Sequence, residues 1–436
     1  MKLRCLFQIS VVIFLLFPIS ASAIEWEKTY SYEDTGPDSS AVQQTADKGY
    51  IVAAVTHFLN IDFSIRGLKL DKEGNVVWQK TYRGIGGVWV SFIQQTPDKG
   101  YVVAGDNRFD FTLAPLEIWV LKLDSSGNVI WLKSYGVSDW VGFGNASSIQ
   151  QTTDGGYIAA GGEVVFKLDS NGNVVWQKTY EGTGGDVLIQ QAEDGGYIMV
   201  GKDESCFYGC ISYPHVIKLD SSGNVIWERR YYTHRFTGYP TSFQKTADGG
   251  YIIMGYADVV SCLWVLKLDS KGDVVWQKTY RGAHYTHANS IQQTKDGGYI
   301  MAGDISDSPD TYYSMWVLKL DSKGRVIWSK TYEGNNQSAF AFSIEQTADG
   351  GYIMTGEILA NTGNAIWVLK LDSKGSIPGC DIISESNPLV GNSYFFEATV
   401  TPLPPGEASV VVTPADFTSE DSEAIISSVC SGSYQY

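Results

Sequence analysis

Two histidines three positions apart, His284 and His287, and aspartates at 304, 307 and 310 are the residues here whose types and spacing most readily suggest chemistry. Imidazole and carboxylate can together hold a borderline divalent metal. The aspartates, however, lack the glycine and the closing glutamate of a calcium loop. The histidine pair has no accompanying zinc-protease pattern either. No metal is therefore expected. Around these residues stand Trp89, Trp140, His234, Tyr285, Tyr312 and Tyr313, with Asp307 and Asp310 among them. Flat apolar faces beside hydrogen-bonding groups suit a sugar ring or a partner's side chains. No nucleophile elbow and no phosphate-cradling loop is present, and no cofactor is expected. The leading expectation is thus a non-catalytic scaffold that binds a protein or a glycan. The alternative is a polysaccharide-acting hydrolase or lyase, with carboxylates set at a defined separation at a channel mouth.

The elements that position these residues follow from repetition. A unit of about 50 residues recurs, best seen as SIQQTKDGGYIMAGD (290–304), WVLKLDSKG (316–324) and RVIWSKTYEG (325–334). Its landmarks occur seven times: a tyrosine after the Asp-Gly step (Tyr50 to Tyr352), an aspartate after Lys-Leu (Asp71 to Asp372), and a tryptophan (Trp26 to Trp328). Each unit holds four alternating, β-rich runs separated by Asp-Gly and Asp-x-x-Gly turn signals. The expected fold is all-β, a seven-bladed β-propeller of four-stranded blades. The sequence opens with a lone fourth strand, IEWEKTY (24–30), and the last copy stops at LDSKG (371–375) without one. The first strand therefore closes the last blade. In up-and-down blades the two short, repeated turns share one face of the disc, and the variable connections share the other. A single site cannot use seven equivalent residues, so the non-repeated residues of the variable face are the functional candidates. The repeated lysines (Lys69 to Lys370) read as structural partners of blade carboxylates.

Three segments are expected: a signal peptide at 1–23, the propeller at 24–380, and a Ser/Pro/Thr-rich extension at 381–436. The first has Lys2 and Arg4, a short apolar run and Ala21-Ser22-Ala23, which reads as an export signal. Secretion to the periplasm, medium or cell surface follows, with no membrane span after cleavage and a monomeric product. A net charge of -16 argues against nucleic-acid partners. Export permits disulfides. Cys380 and Cys430 are expected to tie down the extension; Cys206 and Cys210 bridge each other or one of them pairs with Cys262, and the odd count leaves one thiol over. In the extension, 397–402 and 408–413 read as strands beside or outside the ring.

The strand order and end closure resemble WD-repeat propellers, although Trp-Asp dipeptides are absent. The step Asp-x-x-Gly-x-x-x-Trp, as from Asp124 to Trp131, resembles the docking repeat of pyrroloquinoline-quinone propellers, with one residue fewer between Asp and Gly. The motifs DGGYI and LDS-x-GN also resemble those of uncharacterised secreted bacterial and archaeal propeller-repeat proteins. This resemblance spans 24–380 and implies a fold, not an activity.

Overall fold

A computed structural model describes residues 25–31, 35–58, 62–83, 88–107, 117–137, 146–180, 182, 187–205, 211–233, 238–257, 261–308, 311–359, 364–380, 382–386, 389–391, 395–399, 410–414, 418–421 and 425–427. It is all-β: seven antiparallel four-stranded sheets arranged as a seven-bladed propeller, with no helix among the described residues. Blades 1 to 6 each use four consecutive strands of one repeat, the first nearest the axis and the fourth at the rim. Blade 7 takes three strands from 338–371 and its fourth from the start of the chain. There Trp26–Ser31 runs antiparallel to Ala365–Leu371, pairing Trp26 with Lys370 and Thr29 with Trp367. The Trp367 indole donates to Glu27 Oε1 at 2.7 Å across this seam.

The repeated residues hold blade to blade. In the Asp-x-x-Gly turn of blade 2, Asp124 Oδ1 accepts from the backbone N–H groups of Ser126 and Asn128. Gly127 closes that turn at φ +79°, which costs a glycine little. A Cβ there would lie 2.9 Å from the Trp78 ring of the preceding blade, so the indole can rest on the turn only because the residue is glycine. Beside each indole a buried tyrosine (Tyr30, Tyr82, Tyr135, Tyr180, Tyr231, Tyr280, Tyr332) donates its hydroxyl to the turn-glycine carbonyl of the next blade, at 2.6–2.8 Å. The repeated rim tryptophans are less enclosed than their sequence pattern suggests. Trp78, Trp131, Trp176, Trp227, Trp276 and Trp328 are only partly buried. The fully buried indoles are Trp119, Trp264, Trp316 and Trp367, on the third strands. The rim position faces a polar turn rather than a second sheet, and that leaves one edge of each ring in water.

Seven lysine–aspartate pairs lie on the face with the short turns, from Lys69–Asp47 to Lys370–Asp349, at 2.7–2.9 Å. Each lysine side chain is almost wholly buried, and a buried ammonium is tolerable only when paired. Near the axis the first strands are linked in a closed circuit. The first glutamine of each Gln-Gln step (Gln-Lys in blade 5) accepts from a backbone N–H of the next blade: Gln43 from Gln95, Gln94 from Gln151, Gln150 from Gln191, Gln190 from Lys245, Gln244 from Gln293 and Gln292 from Gln346. The seventh link joins the ends of the ring and uses a glutamate: Glu345 Oε2 accepts from Gln44 N at 3.0 Å.

The extension adds a fifth, antiparallel strand outside six of the seven blades. Ile383–Glu385 pairs with the rim strand of blade 6, Leu389–Gly391 with blade 5 and Phe395–Thr399 with blade 4. Val410–Pro414 pairs with blade 2, Thr418–Asp421 with blade 1 and Ile425–Ser427 with the Trp26–Ser31 strand of blade 7. The strands expected at 397–402 and 408–413 are thus displaced to 395–399 and 410–414, each on a different blade, because rim strands offer a whole edge of open hydrogen-bonding groups. Cys380 is disulfide-bonded and Cys262 is a free, buried thiol. Cys206, Cys210 and Cys430 lie outside the described residues, as does the signal-peptide segment 1–23.

Candidate functional site

The copies differ most where the first two strands of each blade end at the variable face. In blade 6 the first strand, Tyr285–Gln293, brings His287 opposite Asp304 of the second, Tyr299–Ser306. The equivalent pairs are Trp89 and Asp106 in blade 2, Tyr239 and Tyr256 in blade 5, and Phe340 and Glu357 in blade 7. In blade 4 the second strand presents Lys202 at this level, five residues after the repeated Tyr197. One level of the scaffold thus carries a different side chain in nearly every blade.

His287 and Asp304 form a dyad. Nδ1 of His287 lies 3.2 Å from Asp304 Oδ2, with the imidazole side chain 48% exposed and the carboxylate side chain 5% exposed. Asn289 Nδ2 donates to Asp304 Oδ1 at 3.0 Å and to the Ala341 carbonyl of blade 7 at 2.6 Å, which fixes the carboxylate between blades. Burial pushes the Asp304 carboxyl up, and His287 and Asn289 act against that shift. A carboxylate held this way orients the ring, which stays half exposed. Tyr313, at the entry to the third strand, is also pushed up, by burial first and then by Asp304 and Tyr285.

The dyad sits within an arc of rings. Lys202 Nζ lies 5.3 Å from the centroid of Tyr239. Tyr239 stacks on Tyr256 at 5.3 Å, and Tyr256 meets His287 edge to face at 5.8 Å. His287 and Tyr313 are nearly parallel at 6.4 Å, and Tyr313 packs against Phe340 at 5.0 Å. The arc therefore runs from blade 4 through blades 5 and 6 to blade 7.

Of the residues expected from the sequence, His287 and Tyr313 belong to this arc, and Tyr285 lies beside it, touching His284 at 4.9 Å. Tyr312 is 60% exposed and Asp307 is also exposed, on the loop that carries Tyr313. Trp89 is on blade 2, apart from the arc. Trp140, His234 and Asp310 lie outside the described residues. The sequence reading did not single out Lys202, Tyr256, Asn289 or Phe340 as site residues, since they sit inside strands that read as scaffold. Their signal was departure from the repeat: at five residues past the DGG tyrosine the copies read Val55, Asp106, Gly162, Lys202, Tyr256, Asp304 and Glu357. No group of three or more metal-ligating side chains occurs among the described residues.

Residues 117–306 match the family described as outer membrane protein assembly factor BamB. No curated protein matches the sequence. Among solved structures, a protein of unknown function from Dyadobacter fermentans is 10% identical, covering 80% of this chain and 98% of its own, with a TM-score of 0.49. One from Bacteroides caccae, also of unknown function, is 12% identical over 70% of this chain and 93% of its own, at 0.42. A polysaccharide lyase of family PL25, an ulvan lyase, is 9% identical over 79% of this chain and 96% of its own, at 0.50. At these identities the likeness is one of fold, and the chain is a propeller-repeat protein.

Proposed function

We propose that this propeller binds a glycan through the arc from Lys202 to Phe340. One observation carries the reading: contiguous rings from three blades, with Lys202 of a fourth at their end, cluster around the level at which the seven copies differ. Sugar rings present C–H faces to aromatic planes and hydroxyls to polar neighbours, and the arc offers both. Export by the 1–23 segment would place the protein where such polymers lie. The reading predicts saturable binding to at least one soluble polysaccharide, measured by affinity electrophoresis and calorimetry on the mature protein. Tyr313→Ala or Tyr256→Ala should weaken binding by about fivefold each, the equivalent of about 1 kcal/mol for a lost aromatic contact. A broad panel retained by nothing, or affinities untouched by both substitutions, overturns it.

A second reading rests on the dyad. Asp304 paired with Nδ1 of the half-exposed His287 is an arrangement for general acid–base work. A polysaccharide-acting enzyme would then lose turnover in His287→Gln while still binding its polymer. Release of reducing ends or of unsaturated products separates the two readings; their absence across the ligands bound leaves binding alone.

A further inference from the structure

The path of the extension around the rim points beyond ligand binding. Its strands meet the blades in the order 6, 5, 4, 2, 1, 7, so the segment makes one circuit of the disc against the direction of the repeats. The spacing fits this circuit. Successive strands on neighbouring blades are separated by three residues (386–388, 392–394, 415–417 and 422–424), and ten residues, 400–409, separate the strand on blade 4 from the strand on blade 2. That longer step contains Pro402, Pro404 and Pro405, which have no N–H to give a sheet edge. The first of these strands is anchored by side chains as well. Trp316 Nε1 and Ser329 Oγ both bond to Ser386 Oγ, at 3.1 and 2.6 Å, and Lys330 pairs with Glu385.

The two ends of the circuit meet on one blade. Cys380 follows the third strand of blade 7 by nine residues, packs against the core between blades 6 and 7, and is disulfide-bonded. Ile425–Ser427 lies on the outer edge of Trp26–Ser31 in the same blade 7, three residues before Cys430. Of Cys206, Cys210 and Cys430, Cys430 is the one that follows a strand placed on blade 7, the blade that Cys380 itself follows. We propose that residues 380–430 form a covalently closed hoop around the propeller, buckled by a Cys380–Cys430 disulfide, which locks the ring-closing N-terminal strand in place. Closure converts two thiols to one S–S bond, passing two electrons and two protons to an external disulfide oxidant. Trp26–Ser31 has no covalent link to the blade it completes: it pairs with Ala365–Leu371 on one edge and docks on blade 1 through Trp26 and Tyr30, and the hoop covers its other edge. Release of that strand is the step by which a non-covalent ring opens, so the hoop acts on the rate of unfolding.

The test uses the full mature protein. Peptide mapping without reductant should recover Cys380 joined to Cys430; Cys380 joined to Cys206 or Cys210 overturns the proposal. Cys430→Ser should unfold about tenfold faster in concentrated denaturant, with glycan binding unchanged in the folded state. Should that variant not accumulate, a protease site between Pro405 and Gly406 replaces it. Cutting there without reductant should leave the two fragments joined in one band and accelerate unfolding to a similar degree. Nicked protein that unfolds at the intact rate overturns the hoop.

Discussion

The ring seam holds a single substitution whose effect can be worked out in advance. Six of the seven inter-blade links near the axis use a glutamine oxygen, and the link that joins blade 7 to blade 1 uses Glu345. Burial pushes this carboxyl up to about 7 from its ordinary 4.5, with the Gln44 N–H opposing the shift. The folded state therefore holds the proton more tightly than the unfolded chain. Its contribution to stability is full below pH 4.5, declines between 4.5 and about 7, and is lost above that. At about 1.4 kcal/mol per pH unit the loss is at most about 3.5 kcal/mol, a ceiling because the side chain is not wholly enclosed. Glu345→Gln supplies the same acceptor without the charge. The variant should match the native protein at pH 4.5 and exceed it at pH 8, by up to about 4 °C in thermal midpoint for a chain of this size. Gln292→Glu, which imports the acid to the neighbouring junction, should produce the opposite difference at pH 8 and little at pH 4.5. Thermal unfolding followed by tryptophan fluorescence at both pH values reads the effect. An equal gain at pH 4.5 and pH 8, or no gain at either, refutes the assignment of a buried, titrating seam.

Other outcomes follow from the scaffold. Gly127→Ala places a Cβ against Trp78 in a left-handed turn and should cost about 1–3 kcal/mol, seen as a lower denaturation midpoint. Tyr82→Phe removes the hydroxyl that serves the Gly127 carbonyl and should cost about 1–2 kcal/mol by the same measurement, with no change in glycan affinity. Cys262 is buried, and burial pushes its thiol up to about 11. It should resist alkylation at pH 8 in the folded protein and react once the protein is denatured, as mass spectrometry would show.

Much of the architecture was legible along the chain. Alternation of period two, an Asp-Gly or Asp-x-x-Gly turn between runs, and seven copies of each landmark specify the blades. The unmatched first strand specifies closure, borne out by the pairing of Trp26 with Lys370. The repeated lysines were legible as scaffold for the same reason, since each copy supplies both the lysine and its aspartate. Other features depended on folding. His287, Tyr256 and Phe340 come from repeats about 50 residues apart, and they meet because adjacent blades present the same register level to a common face. No local pattern announces that meeting, and the informative signal was a break in the repeat rather than a motif. Glu345 looks like an ordinary conservative variant of Gln until ring closure places it at the seam. The extension is the extreme case. Only two of its strands, near 397–402 and 408–413, were legible as runs; the others span three or four residues, and partners lie up to about 400 positions away, so only a rim already built could show where they belong.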